Sequence, residues 1–91
     1  MFIYLYLQFD NGTIRAAVNL WTCDREEAMR RHGHISAWLT GEVTDMSSLF
    51  DDKEDFNEDI SKWDVRRVTN MGYMFYSASS FNQPLEKWEG Y

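Results

Sequence analysis

Val43-Thr44-Asp45-Met46-Ser47-Ser48-Leu49-Phe50 and Val68-Thr69-Asn70-Met71-Gly72-Tyr73-Met74-Phe75 are the two stretches whose comparison decides the reading of this chain. Each position in the first has its counterpart 25 residues later, and the large apolar positions agree. Working outward, the same spacing joins Ile35, Ile60 and Leu85, then Trp38, Trp63 and Trp88, then Phe56 and Phe81, with Asn57 and Asn82 directly after. No gap is needed anywhere. A period of this length marks units that cannot bury their apolar side alone and must stack on a neighbour. The expectation is a short solenoid whose core is Ile35, Trp38, Val43, Met46, Leu49, Phe50, Phe56, Ile60, Trp63, Val68, Met71, Met74, Phe75, Phe81 and Leu85. Val-Thr-Asp/Asn-Met is expected as a short strand and the next four residues as one helical turn. Asn57 and Asn82 are expected to bond the open backbone of their own coil.

The period divides the chain. Residues 1–33 are expected to form an N-terminal strand plus a helical cap. Residues 34–91 hold two 25-residue repeats and a partial third that starts at Leu85. Residues 2–9 are rich in Phe, Ile, Tyr and Leu and read as a strand. Asn11-Gly12 could close a hairpin, or Thr13 could cap a helix. The helix is preferred, because Ile14, Ala17, Val18 and Trp21 make an apolar stripe at i, i+3, i+4 and i+7. Asp24 followed by Glu27 reads as a second helix start, and Gly33 as the residue that ends it. Residues 13–33 are thus two short helices or one helix broken near residues 22–24. The last, unfinished coil would present an open face carrying Trp88 and Tyr91.

The phrase Phe56-Asn57-Glu58-Asp59-Ile60-Ser61-Lys62-Trp63-Asp64-Val65, with Val68-Thr69-Asn70-Met71, Met74-Phe75 and Phe81-Asn82-Gln83-Pro84-Leu85, resembles the repeat of a known family. It is similar to the BspA-type leucine-rich-repeat surface proteins with Mycoplasma-lipoprotein-like 25-residue repeats. The segment Arg15–Trp21 through Gly33–Ser36 resembles the stretch that precedes the repeats in many members. The resemblance implies an α+β, leucine-rich-repeat-like solenoid and a non-enzymatic surface, adhesion or interaction role. This chain departs from the surface members in showing no signal peptide, no lipid-attachment cysteine and few repeats, which weighs toward an intracellular or virion-associated protein.

Composition excludes several functions. The net charge of -6 is unsuited to nucleic acid, since phosphate contacts need clustered Lys and Arg. Arg25, Arg30 and Arg31 share their segment with Glu26 and Glu27, as on a solvated helix face. The single Cys23 permits no internal disulfide and is read as a buried or neutral thiol. The apolar N-terminus is too short to span a bilayer, so no transmembrane segment is expected. The acidic run Asp51, Asp52, Glu54, Asp55, Glu58, Asp59 lacks the glycine and ligand spacing of a calcium loop and is expected to be a solvated loop. His32 and His34 lack the further ligands that would close a metal shell.

No catalytic, cofactor-binding or metal-ligating set emerges, and no cofactor is expected. The expected role is a non-enzymatic protein–protein interaction or structural subunit, a minor component of a larger assembly such as a virion. Its partners would be other protein subunits or a second copy of itself. Phe2, Tyr4, Tyr6, Trp88 and Tyr91 are the candidate interface residues, because Trp and Tyr concentrate at binding hot spots and an aromatic strand edge invites pairing. The alternatives are a cell-surface adhesion or ligand-binding protein and, behind it, a small metal-binding protein.

Overall fold

In a computed structural model of the chain, residues 8–88 are described. The strand expected at residues 2–9 falls almost wholly outside them, as do Phe2, Tyr4, Tyr6 and Tyr91. The first helix, α1, spans Asn11–Cys23. Its cap is Asp10, not Thr13: the Asp10 carboxylate accepts the Thr13 N–H at 2.8 Å, and the Thr13 hydroxyl answers by accepting the Asp10 N–H at 2.8 Å. This reciprocal pair is a capping box with Thr at its third position, and it moves the helix start upstream of the apolar stripe. The second helix, α2, spans Arg25–His32 and is capped by Asp24, whose carboxylate accepts the Glu27 N–H at 3.2 Å. Gly33 ends it at φ 76°, a backbone conformation open to glycine. Ile14, Ala17, Val18 and Trp21 of α1 and Ala28 of α2 are buried. A 3-10 turn, Ile35–Ala37, leads out of the helices.

Beyond this point the structure departs from the expected α+β, leucine-rich-repeat-like solenoid. All regular secondary structure among the described residues is helical. The Val-Thr-Asp/Asn-Met stretches make a single isolated parallel bridge, Asp45 to Asn70, and no strand. The reason is local geometry. Ser48, Asp52, Tyr73 and Ser77 all have φ between 56° and 62°. Each is the third residue of a tight turn closed by a backbone bond: Leu49 N–H to Met46, Lys53 to Phe50, Met74 to Met71 and Ala78 to Phe75. Positive φ at that position is the mark of a type II turn. A chain that turns every four residues cannot stay extended long enough to build a strand, nor does a helical turn follow. The result is a compact globule rather than a wound repeat protein: its radius of gyration is 12.7 Å, close to the roughly 12 Å expected for a compact domain of this length.

Within the globule the two turn-rich segments lie side by side. The N–H groups of Met46, Ser48, Phe50 and Asp52 donate to the carbonyls of Asn70, Gly72, Met74 and Tyr76 at 2.8–2.9 Å. Four phenylalanines pack beside these bonds. Phe50 stacks on Phe75 at 5.5 Å and on Phe56 at 4.2 Å, while Phe81 stacks on Phe56 at 5.8 Å and on Phe75 at 4.3 Å. Trp38 and Trp63 stack at 6.4 Å, and Trp21 of α1 meets the edge of Trp38 at 5.9 Å. That contact joins the helices to the turns. Each aromatic of this kind removes a large apolar area from water.

Candidate functional site

Thr40 is the one buried polar side chain among the described residues, 1 % exposed. Its hydroxyl accepts the Asp64 N–H at 2.9 Å and donates to the Asp64 carbonyl at 3.1 Å. The Trp63 indole N–H donates to the Ile35 carbonyl at 2.8 Å, and the Trp38 indole to the Gly33 carbonyl at 3.0 Å. These bonds hold the segments in fixed register. Asp45, Asn70, Asp59 and Asp64 each fold their side-chain oxygen onto the N–H two residues on, bracing the turns they start. Asp64 also grips the Arg66 guanidinium through two bonds of 3.0 and 2.9 Å, which with the Arg66 N–H pulls its carboxyl down to about 2. The bond expected from Asn57 to the backbone of its own segment is not made. The Asn57 side-chain oxygen accepts the N–H of Asn82 at 2.8 Å, so it ties one unit to the next.

The two sides of the paired turns differ. On the α1 side, the Arg15 guanidinium donates to the carbonyls of Asp45 and Ser47 at 3.3 and 2.6 Å and pairs with the Asp45 carboxylate. Asn11 of the same helix accepts the N–H groups of Thr44 and Asp45. The opposite side is open. Met46, Leu49, Phe50, Phe56 and Ile60 are buried, whereas their 25-residue counterparts Met71, Phe75, Phe81 and Leu85 are half-buried; Met74 is buried. Met71, Tyr73, Met74, Phe75, Leu85 and Trp88 line an apolar groove of about 340 Å³. Tyr73, on the lining, meets Tyr76 edge to face at 5.6 Å, and 72 % and 59 % of their surfaces are exposed. Trp88 is 4 % exposed: its ring belongs to the core and forms one wall of the groove, and its indole N–H has no acceptor.

The remaining core residues of the sequence reading, Ile35, Trp38, Val43, Trp63 and Val68, are all buried. Residues missed by that reading are Thr40, Arg15 and Asn11. Thr40 faces Val65 across the period, so the repeat itself hides it. Arg15 and Asn11 act from the helix on backbone groups, which leave no trace in residue patterns.

Other candidate sites do not assemble. Cys23 is exposed, not buried. His34 accepts the Ser36 N–H and lies 3.6 Å from Glu58, while His32 packs between Phe9 and Trp38. Partial desolvation of the His32 ring against its aromatic neighbours, with Arg31 adjacent, lowers its pKa. Among the described residues no group of three or more His, Cys, Asp or Glu is placed to hold a metal ion, and no helix is long and apolar enough to cross a membrane. Glu27 pairs with both Arg30 and Arg31, which makes that face of α2 a neutralised, solvated one.

The sequence of residues 17–90, which covers both turn segments and most of the helices, matches the family described as "Mycoplasma protein of unknown function, DUF285". The chain belongs to the DUF285 family. No curated protein and no solved structure matches it. In this DUF285 chain the match takes in the groove and the turns that build it, together with the part of α1 that packs beneath them, but leaves out Arg15 and Asn11.

Proposed function

We propose that this chain is a non-enzymatic protein-binding module whose contact surface is the groove between Met71 and Trp88. One observation carries the reading: the side chains that meet a neighbour on one side of the fold are buried, while their counterparts on the other side are left half-covered around an apolar groove. Apolar surface rimmed by tyrosine and tryptophan is what a protein interface uses for anchors. The likeness of residues 14–88 to the BspA-type surface proteins supports an interaction role over catalysis.

The test is association measured by sedimentation against whichever protein co-purifies stoichiometrically with the chain. Leu85→Asp should abolish that association while the chain keeps its helical signal and a cooperative unfolding transition. Lys53→Asp, at a residue that does not line the groove, should leave it intact. Equal affinity for the parent chain and Leu85→Asp would sink the proposal.

A further inference from the structure

Asn11 is the only asparagine of the chain that is followed by glycine. In an unfolded chain such a pair is chemically unstable. Glycine has no Cβ to restrict the approach, so its peptide nitrogen reaches the asparagine side chain freely. The Gly12 nitrogen bonds to Asn11 Cγ, the Cγ–Nδ2 bond breaks, and ammonia leaves with the proton that the Gly12 nitrogen gives up. Water then opens the five-membered imide at one of its two carbonyls, giving aspartate or isoaspartate at position 11. The folded chain holds the pair out of this reaction. Asn11 and Gly12 are the first two residues of α1, and in a helix the Cα–Cβ bond leans toward the N-terminus, which carries the Asn11 amide away from the Gly12 nitrogen. The amide is also fixed at both atoms. Its Oδ1 accepts the N–H groups of Thr44 and Asp45 at 2.8 and 3.1 Å, and its Nδ2 donates to the Thr44 hydroxyl at 3.0 Å. Asp10 adds a carboxylate beside the nucleophile: its carboxyl is held low chiefly by the Thr13 N–H and hydroxyl and also by the Gly12 N–H, and a negative charge there opposes loss of the Gly12 proton.

From this we infer that Asn11 is a modification site gated by the fold: it deamidates when the first turn of α1 comes away from Thr44 and Asp45, and the isoaspartate that results keeps the opened helix from closing again. Isoaspartate routes the main chain through Cβ and Cγ, which adds one methylene between Asp10 and Gly12 and moves the free carboxylate onto Cα. Residue 11 then cannot present an acceptor to the Thr44 and Asp45 N–H groups while Asp10 stays in its reciprocal cap with Thr13. An ordinary aspartate at position 11 keeps both acceptor bonds and loses only the donor to the Thr44 hydroxyl. The reaction is irreversible, so it marks the chains whose helix has parted from the turns. Opening of a helix end needs far less free energy than global unfolding, which makes the site a record of local opening. Asn11 lies outside the lining of the groove, and the inference is independent of the binding role proposed for it.

The experiment ages the full chain at neutral pH, folded and in urea, beside a capped synthetic peptide of residues 8–16. Position 11 is followed by peptide mapping with mass spectrometry and by enzymatic methylation of isoaspartate. The chain in urea and the peptide should react alike, and the folded chain at least about tenfold more slowly. The isoaspartate form, isolated and returned to native buffer, should exchange the Thr44 and Asp45 amides at least about tenfold faster than the parent, with the amide of Met46, bonded to the Asn70 carbonyl, unchanged. Asn11→Asp should keep the parent exchange rate at both amides, which separates the added methylene from the added charge. One rate of reaction in the folded and the unfolded chain overturns the gate. Parent-like exchange at Thr44 and Asp45 in the isoaspartate form overturns the release, and loss of protection in Asn11→Asp overturns the role given to isoaspartate.

Discussion

Replacing Thr40 by valine keeps the shape of the side chain and removes its hydroxyl. In the structure that hydroxyl makes two bonds to the main chain of Asp64, at 2.9 and 3.1 Å, from a position only 1 % exposed. Each such bond contributes about 1 kcal/mol net, and a buried group left unpaired costs about 1–3 kcal/mol. Asp64 is half-buried, so water can reach part of what is exposed and the lower end applies. The expected loss is therefore about 2–3 kcal/mol. For a domain of this size each kcal/mol moves the melting temperature by about 4–8 °C, so Thr40→Val should melt at least about 8 °C lower. Thr40→Ser keeps both bonds and loses one methyl group, worth about 1 kcal/mol. Urea unfolding of the three proteins, with equal slopes, gives the comparison. The order should be parent, then Ser, then Val. A valine variant as stable as the parent, or more stable than the serine variant, would refute the role given to the hydroxyl.

Three further outcomes are expected. Gly33→Ala should cost about 1–3 kcal/mol in urea unfolding, although nothing lies within 4 Å of the added methyl, because φ 76° with ψ -171° is a region that only glycine occupies without strain. Trp63→Ala should cost about 3–5 kcal/mol, enough to leave a chain of this size largely unfolded by circular dichroism, since it removes both the stack on Trp38 and the bond to Ile35. Asp64 has its carboxyl lowered from 3.8 to about 2 by Arg66. A depressed carboxylate stabilises the fold above its unfolded value and loses that contribution as pH falls, here between about pH 4 and pH 2. Asp64→Asn should therefore flatten the acid side of the stability curve in that window and leave the slope above pH 5 unchanged; an unaltered acid limb would count against the Asp64–Arg66 pairing.

The helical part of the fold was legible because its signals are local. The stripe of Ile14, Ala17, Val18 and Trp21 fixes the buried face of α1, and Asp24 and Gly33 bound α2. Only the first cap was misplaced, since Asp10 and Thr13 are both able caps and the reciprocal geometry that chooses between them is not in the residue types. The turn segments show the opposite case. The 25-residue spacing identifies which side chains meet, as Phe50 and Phe75 do, but it carries no information on backbone angles. Of the four left-handed residues only Asp52 is of a type that visits that region readily; Ser48, Tyr73 and Ser77 are not, so the sequence does not announce the turns that replace the expected strands. The groove was half legible. Trp88 was singled out as an anchor and is instead a buried wall, whereas Tyr73 and Tyr76, the exposed aromatics beside it, sit at positions matched by Ser48 and Asp51 and were hidden by that mismatch.

The unequal cover of the two turn segments is the feature on which the binding proposal stands, and amide exchange of the free chain tests it most directly. Met46, Ser48, Phe50 and Asp52 should exchange slowly, in step with global unfolding, because each N–H is bonded inside the fold. Met71, Tyr73, Phe75 and Ser77 should exchange at least a hundredfold faster in the dilute, free protein. Equal protection of the two sets would contradict the unequal cover of the two segments, on which the proposed binding surface rests.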